Sequence, residues 1–291
     1  MSVNTTLVSI FIGMGGMVGW GIYDFLGGVF AKQIGPFRSL FWSQLAGFLA
    51  LLSLAVILQT SFNVPLRMGV LGALGAVIYA GGYLFFFRGF EIGNVSIVAA
   101  TMNLWAVFTM LFAFLFMGQR LTPTQTVGVG LIIGGATLAS LRWEELGNQK
   151  FQISGGVKEA VLGAFFFGVF WNLSEILSEQ MGWLWTTLSV KCGIVLFLLI
   201  VSLLSRRRLG ISQTKHQTKA VVLLMGVIEA AAVALVNYGL TIGDAILITP
   251  ISSALSVVTI SLAMIFLRER VTRIQGGGMI LAVMGIILTA F

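Results

Sequence analysis

Charge is what this chain has least of: Asp, Glu, Lys and Arg make up 9% of its 291 residues, where soluble domains carry about 25%. With 58% hydrophobic residues and a mean hydropathy of +1.01, it cannot present a water-soluble surface. It reads as a polytopic membrane protein. The single cysteine, Cys192, excludes an intrachain disulfide. The single histidine, His216, stands in a basic loop, and there is no His-x-x-x-His, Cys-x-x-Cys or Asp-rich cluster, so metal and intramembrane-protease chemistry lack their ligands. No Gly-x-x-x-x-Gly-Lys-Ser/Thr loop is present, which excludes direct use of ATP. No cofactor is expected. No Lys or Arg precedes the first apolar stretch and no small-residue cleavage site cuts it, so no removable signal peptide is expected.

What is present is apolar sequence in units of membrane length. Charged or Gly/Pro/Asn punctuation cuts it into ten segments, 7–31, 37–58, 67–88, 93–117, 123–141, 157–179, 183–204, 219–240, 245–267 and 273–291, each near the 17–25 residues a tilted helix needs. They are too long for barrel strands and lack strand alternation. No connection is long enough for a soluble catalytic domain.

The segments repeat. Laid on residues 241–290 without a gap, residues 91–140 match at 13 of 50 positions. Gly128 meets Gly278 and Gly135 meets Gly285, but chance could align glycines in apolar helices. It does not so readily align Arg120-x-Thr122-x-x-Gln125 with Arg270-x-Thr272-x-x-Gln275. Each Thr with a Gln three residues on is a capping box, predicted to open the last helix of each copy, and Pro123 fits the first turn of one. Internal repeats reset the whole reading. The chain divides into a first five-helix repeat at 1–141, a linker at 142–156 and a second repeat at 157–291. Five spans per copy is odd, so the second copy enters from the opposite side; the fold predicted is all-α, ten transmembrane helices in two inverted five-helix repeats.

Fourteen of the seventeen Lys and Arg, from Lys32 and Arg38 through Arg142, Lys150 and Arg206–Arg208 to Arg273, fall on one side; Arg67 and Arg120 fall on the other. The rule that positive loops stay inside puts the first side in the cytoplasm and both termini outside. The formal charge of +7 then reports topology and anionic lipid, not nucleic acid. The spans carry Gly15-x-x-x-Gly19, Gly130-x-x-x-Gly134, Gly81-Gly82 and Gly276–Gly278, expected to bring helices close. Pro250 is expected to bend the ninth span, and that half only, since its counterpart is Ala100.

Ionisable groups inside a span cost about 2.5–3.5 kcal/mol, so each needs a partner or a task. Asp24 and Glu175 occupy equivalent places if Trp20 is matched with Trp171, and inverted copies set them on opposite sides of the midplane. Lys191 lies as far past the turn at Gly182 as Glu175 lies before it, so a Glu175–Lys191 ion pair is expected, either structural or broken by substrate or a proton. Glu229 has no partner identifiable from sequence. Trp20, Tyr23, Trp42, Tyr83, Asn103, Trp105, Trp171, Asn172 and Asn237 are candidates for lining a cavity, against ordinary packing.

Ten spans in two inverted copies, each ending in Arg-x-Thr-x-x-Gln and a Gly-rich helix, resemble the drug/metabolite transporter superfamily and its EamA-type members. Leu267-Arg268-Glu269-Arg270-Val271-Thr272 is similar to the family's Gly-Glu-Arg-Leu-Thr corner, and Gly118-Gln119-Arg120-Leu121-Thr122 has Gln where Glu is usual. The Arg often found in the second helix of such members is Gln44 here, with Lys191 near the corresponding place in the second half. The resemblance implies a secondary carrier of small metabolites or amphiphilic compounds across a bacterial inner membrane, with a central cavity and possible proton coupling. The residues expected to bind substrate or couple protons are Trp20, Asp24, Gln44, Tyr83, Asn103, Trp105, Trp171, Glu175, Lys191, Glu229 and Asn237. The partners expected are a small-molecule substrate and the bilayer, with no nucleic acid; no oligomeric state is legible, and a monomer is compatible. A membrane enzyme would need clustered acids or a His at one interface, which are missing. A non-transporting membrane chaperone or sensor is the alternative.

Overall fold

The computed structural model describes residues 3–30, 33–61, 64–92, 95–141, 156–268 and 270–291. Lys32, Gly93, Arg142, Lys150 and Glu269, and all of the expected linker 142–156 except Gly156, lie outside the described residues. Every regular element among those described is helical. In chain order they are α1 (Val3–Phe30), α2 (Pro36–Ile57), α3 (Leu66–Ile92), α4 (Val95–Met102), α5 (Leu104–Phe116), α6 (Pro123–Ser140), α7 (Val157–Met181), α8 (Trp183–Leu204), α9 (His216–Leu240), α10 (Ala245–Ser253), α11 (Leu255–Leu267) and α12 (Arg273–Leu288). Among the described residues, seven stretches are long and apolar enough to cross a membrane: Thr5–Gly27, Phe37–Ile57, Leu66–Phe86, Val157–Met181, Trp183–Leu204, His216–Leu240 and Ala245–Leu267. Ala100–Phe116 and Arg273–Leu288 are shorter apolar helices.

Local chemistry fixes the element ends. Thr122 and Thr272 both form the expected capping box: each side chain accepts from the backbone N–H of Gln125 or Gln275, and each Gln accepts in return. Gly35 and Gly182, 147 positions apart, open α2 and α8 with nearly the same backbone, φ 87° and ψ 150° against φ 78° and ψ 156°. That region is open to glycine without cost. The same helices close alike, with Gln59 at φ 48° and Arg206 at φ 50°, again 147 apart.

The fourth and ninth predicted spans are each broken. At Asn103 and at Ala254 two tight i→i−3 bonds replace the α pattern: Asn103 to Ala100 and Ala106 to Asn103, both 3.3 Å, and Ala254 to Ile251 at 3.2 Å and Val257 to Ala254 at 2.9 Å. This corrects the expectation of a bend in one half only. A short 3₁₀ turn common to both halves interrupts the span, and the fourth span has it without a proline.

Packing follows small residues, but not all those expected. Gly15 and Gly19 face Leu235 and Ala232 of α9, and Gly81 and Gly82 face Phe166 and Phe167 of α7. Gly130, Gly134, Gly276 and Gly277 touch nothing within 4 Å where a Cβ would stand, which corrects their reading as contact faces. α6 and α12 instead cross at Gly128, Gly135, Gly278 and Gly285. Cβ atoms there would lie 2.8 Å (Gly128) and 2.5 Å (Gly285) from each other's carbonyls, and 2.6 Å in both directions between Gly135 and Gly278. Gly128 near Gly285 and Gly135 near Gly278 means the two helices run antiparallel. Elsewhere α1 packs on α9, α10 and α11, α2 on α9 and α8, and α3 on α7 and α8. The perimeter is apolar, with Phe11, Val56, Leu203 and Ile265 exposed, as a lipid-facing surface requires.

Gly135→Ala must push α12 away, since its Cβ would stand 2.5 Å from the Ala282 nitrogen; overpacking of this kind costs about 1–3 kcal/mol. Gly134→Ala, next to it in open space, should gain about 0.5–1 kcal/mol from helix propensity. Thermal unfolding of the two variants in one detergent checks the opposite signs.

Candidate functional site

Four polar side chains from four helices meet in the middle of the bundle. Lys191 of α8 forms an ion pair with Glu229 of α9 and donates through Nζ to Gln44 Oε1 of α2 at 2.7 Å. Tyr79 of α3 donates through its hydroxyl to Glu229 Oε1 at 2.9 Å, and the Lys191 ammonium lies 5.9 Å from the Tyr79 ring centre. None of the four is more than 3% exposed. The matched glycine starts of α2 and α8 carry Gln44 and Lys191, 147 positions apart, to one depth, and Tyr79 and Glu229 are 150 apart. The tetrad is therefore two pairs of repeat counterparts. Its one loose end is Gln44 Nε2, which has no hydrogen-bond partner.

This corrects two expectations. Glu229 has a partner, and Lys191 does not pair with Glu175. The Gly182 turn does set Glu175 and Lys191 at equal depth, but depth leaves open which way each side chain faces around its helix. Lys191 faces α2 and α9; Glu175 faces the turn between α5 and α6.

Glu175, 2% exposed, closes that end of the bundle. Gln119, in the α5–α6 turn, donates through Nε2 to Glu175 Oε1 at 2.6 Å. The first N–H groups of α10 complete the knot, Ala245 to Glu175 Oε2 at 3.4 Å and Ile246 to Gln119 Oε1 at 3.1 Å. An anion at a helix N-terminus is favourable because the first N–H groups have no partner within the helix. Asp244 holds the N-cap position but makes no side-chain cap bond, and burial pushes its carboxyl above the ordinary range. The whole of α10, Ala245–Ser253, is buried.

Asp24 contrasts with Glu175. It lies within a membrane-length helix yet is exposed, and among the described residues no hydrogen bond or ion pair holds it. It is within electrostatic reach of Tyr23 and Tyr83. One helical turn before it, Trp20 meets Trp171 at 5.3 Å and Trp105 at 6.3 Å between ring centres, and Trp105 and Trp171 stand 6.2 Å apart. Phe170, 5.1 Å from Trp171 and 4.6 Å from Tyr79, joins this aromatic group to the tetrad, with Tyr83 on its flank.

The other candidates make hydrogen bonds between elements. Asn103 donates to Ser140 Oγ at 3.4 Å at the break between α4 and α5. Asn237 accepts from Ser174 at 2.8 Å and donates to Thr187 Oγ1 at 2.9 Å, tying α9 to α7 and α8. Asn172 donates to the Thr109 and Gly168 carbonyls, and Trp42 reaches the Leu209 carbonyl at 2.8 Å. Tyr79 and Gln119 are absent from the sequence candidates. Sliding the repeat offset through the third span would have found Tyr79 opposite Glu229.

The sequence model of the EamA-like transporter family matches the chain twice, over residues 7–141 and 155–291. The chain belongs to the EamA-like transporter family, a family of multi-pass membrane transporters. An uncharacterized protein of Methanocaldococcus jannaschii is 32% identical over 129 residues, which is 44% of this chain and 90% of that protein. A solved crystal structure shares the fold, with a TM-score of 0.80 over 96% of this chain and 95% of its own at 18% identity.

Removing one partner of a buried ion pair strands the other and costs about 3–5 kcal/mol, whereas apolar replacement of both is often tolerated. Lys191→Met and Glu229→Leu should each lower the unfolding temperature markedly, and the double variant should melt nearer the wild type than either. Additive losses would mean that the two side chains do not act as a pair.

Proposed function

We propose that this protein is a secondary carrier that moves a small metabolite or amphiphilic compound across the cytoplasmic membrane by alternating access. It has ten spans in two inverted five-helix repeats, with both termini outside. The observation that carries the reading is the unequal fate of two counterpart acids. Glu175 is sealed at one end of the bundle, while Asp24 stays exposed inside a span with the aromatic group of Trp20 beside it. A cleft open toward one face and shut toward the other is what a carrier needs and a permanent pore lacks. The antiparallel crossing of α6 and α12, which sets Thr122 and Thr272 at opposite ends, supports the inversion. Binding falls to the aromatic wall of Trp20, Trp105, Trp171 and Tyr83, and a proton gradient supplies energy through an acid on the path. The tetrad holds the halves together beneath it.

Two measurements test this. In a Cys192→Ser background, Thr122→Cys and Thr272→Cys should react with an impermeant maleimide from opposite compartments; reaction from the same side overturns the inversion. Proteoliposomes loaded with an unlabelled compound that raises the protein's unfolding temperature should show counterflow of the labelled compound, faster under an imposed pH gradient. Binding without counterflow favours the membrane chaperone or sensor.

A further inference from the structure

Asp24 and Glu175 stand 151 positions apart, each four residues after a tryptophan, Trp20 or Trp171. The helices they could reach are also counterparts, α4 beginning at Val95 and α10 at Ala245. The packing of these two helices is unequal. Among the described residues, α10 lies against α1, α5 and α6 of the first half as well as α7 beneath Glu175, while α4 has no comparable packing on α11, α12 or α1. α4 packs instead on α3, α6 and α7. One sequence plan thus appears in two arrangements within a single molecule, and exchanging them between halves gives a second state without new chemistry.

We propose that Asp24 and Glu175 are alternating latches: Glu175 holds the cleft shut at the Gln119 end in the state described, and in the opposite state Asp24 takes the corresponding place at the N-terminus of α4. The proposal rests on the carrier reading and assigns it its two gates. In the described state Glu175 accepts from Gln119 and from the first N–H of α10. When α10 swings out, that carboxylate is uncovered. When α4 swings in toward α1, its first N–H groups and their partial positive charge come to Asp24, whose side chain no hydrogen bond or ion pair holds among the described residues. Each latch is made as the other breaks, so the two closed states are comparable in free energy and the exchange stays reversible.

Reporter cysteines placed at a further pair of counterparts read both gates. Ser178, one turn beyond Glu175, is buried and its hydroxyl has no partner; Gly27, 151 positions earlier and one turn beyond Asp24, has only the Met225 methyl near its Cβ position, at 3.3 Å. In Cys192→Ser protein in vesicles, labelling rates of Ser178→Cys and Gly27→Cys by an impermeant maleimide from each side report the two openings. Glu175→Ala should raise the Ser178→Cys rate and lower the Gly27→Cys rate. Asp24→Ala should do the reverse. Each shift should be about tenfold, as loss of a charge-assisted hydrogen bond from one of two states implies. Glu175→Gln and Asp24→Asn, which keep an acceptor oxygen without the charge, should give smaller shifts of the same sign and serve where an alanine variant does not fold. The proposal is overturned if Asp24 variants leave both rates unchanged or move them in the same direction as Glu175 variants. Opposite shifts without counterflow would uphold the latches and remove the carrier reading; counterflow with parallel shifts would do the converse.

Discussion

The bilayer core offers no water to a stranded charge, and this constraint orders the middle of the molecule. Lys191 and Glu229 cancel there, and Gln44 and Tyr79 take up most of the hydrogen-bonding capacity that the pair leaves over. Four helices are thereby tied at one depth, two from each half. Lys191 and Glu229 both belong to the second half, so relative motion of the halves has to turn about this knot or give up the hydrogen bonds that join Gln44 to Lys191 and Tyr79 to Glu229. The ends of the bundle carry lighter fastenings. At one of them a single carboxylate, one amide side chain and the start of a nine-residue helix make the closure.

The interrupted spans add to this. A continuous helix through the fourth or ninth span would couple both membrane faces rigidly, so that movement of one end dragged the other. The 3₁₀ turns at Asn103 and Ala254 separate each span into two rods, and the half of the ninth span that is fully buried is the half that meets Glu175. Rods of this length can tilt at one face while the rest of the helix keeps its packing.

How much of this was legible before the structure depends on the range of each interaction. The capping boxes at Thr122 and Thr272 are local, four residues of sequence each, and they form as read. The repeat was legible too, but the use of its glycines was not. Gly128, Gly135, Gly278 and Gly285 were visible as matched identities, yet within α6 the spacing pointed to Gly130 and Gly134 as the contact. The α6–α12 crossing selects by direction around the helix, which spacing alone leaves undetermined. The error over Lys191 has the same origin: a tight turn fixes depth and says nothing of facing. Tyr79 escaped notice because a tyrosine in an apolar helix is unremarkable until its counterpart at the repeat offset is known to be an acid. Gln44 was visible only as a departure from a familiar pattern, and its meaning came from the lysine it touches.

The pairing of counterparts in the tetrad bears on how such a chain could arise. The archaeal relative is about as long as one copy. Two identical copies assembled about a twofold axis would set each residue against itself, so a lysine at this place would confront a lysine and a glutamate a glutamate. Only when the two copies differ in sequence can one keep glutamine and tyrosine while the other carries the cation and the anion. Lys191 and Glu229 both belong to the second copy, so the ion pair lies within one half, and the asymmetry is that it meets Gln44 and Tyr79 of the first half rather than a second cation and anion.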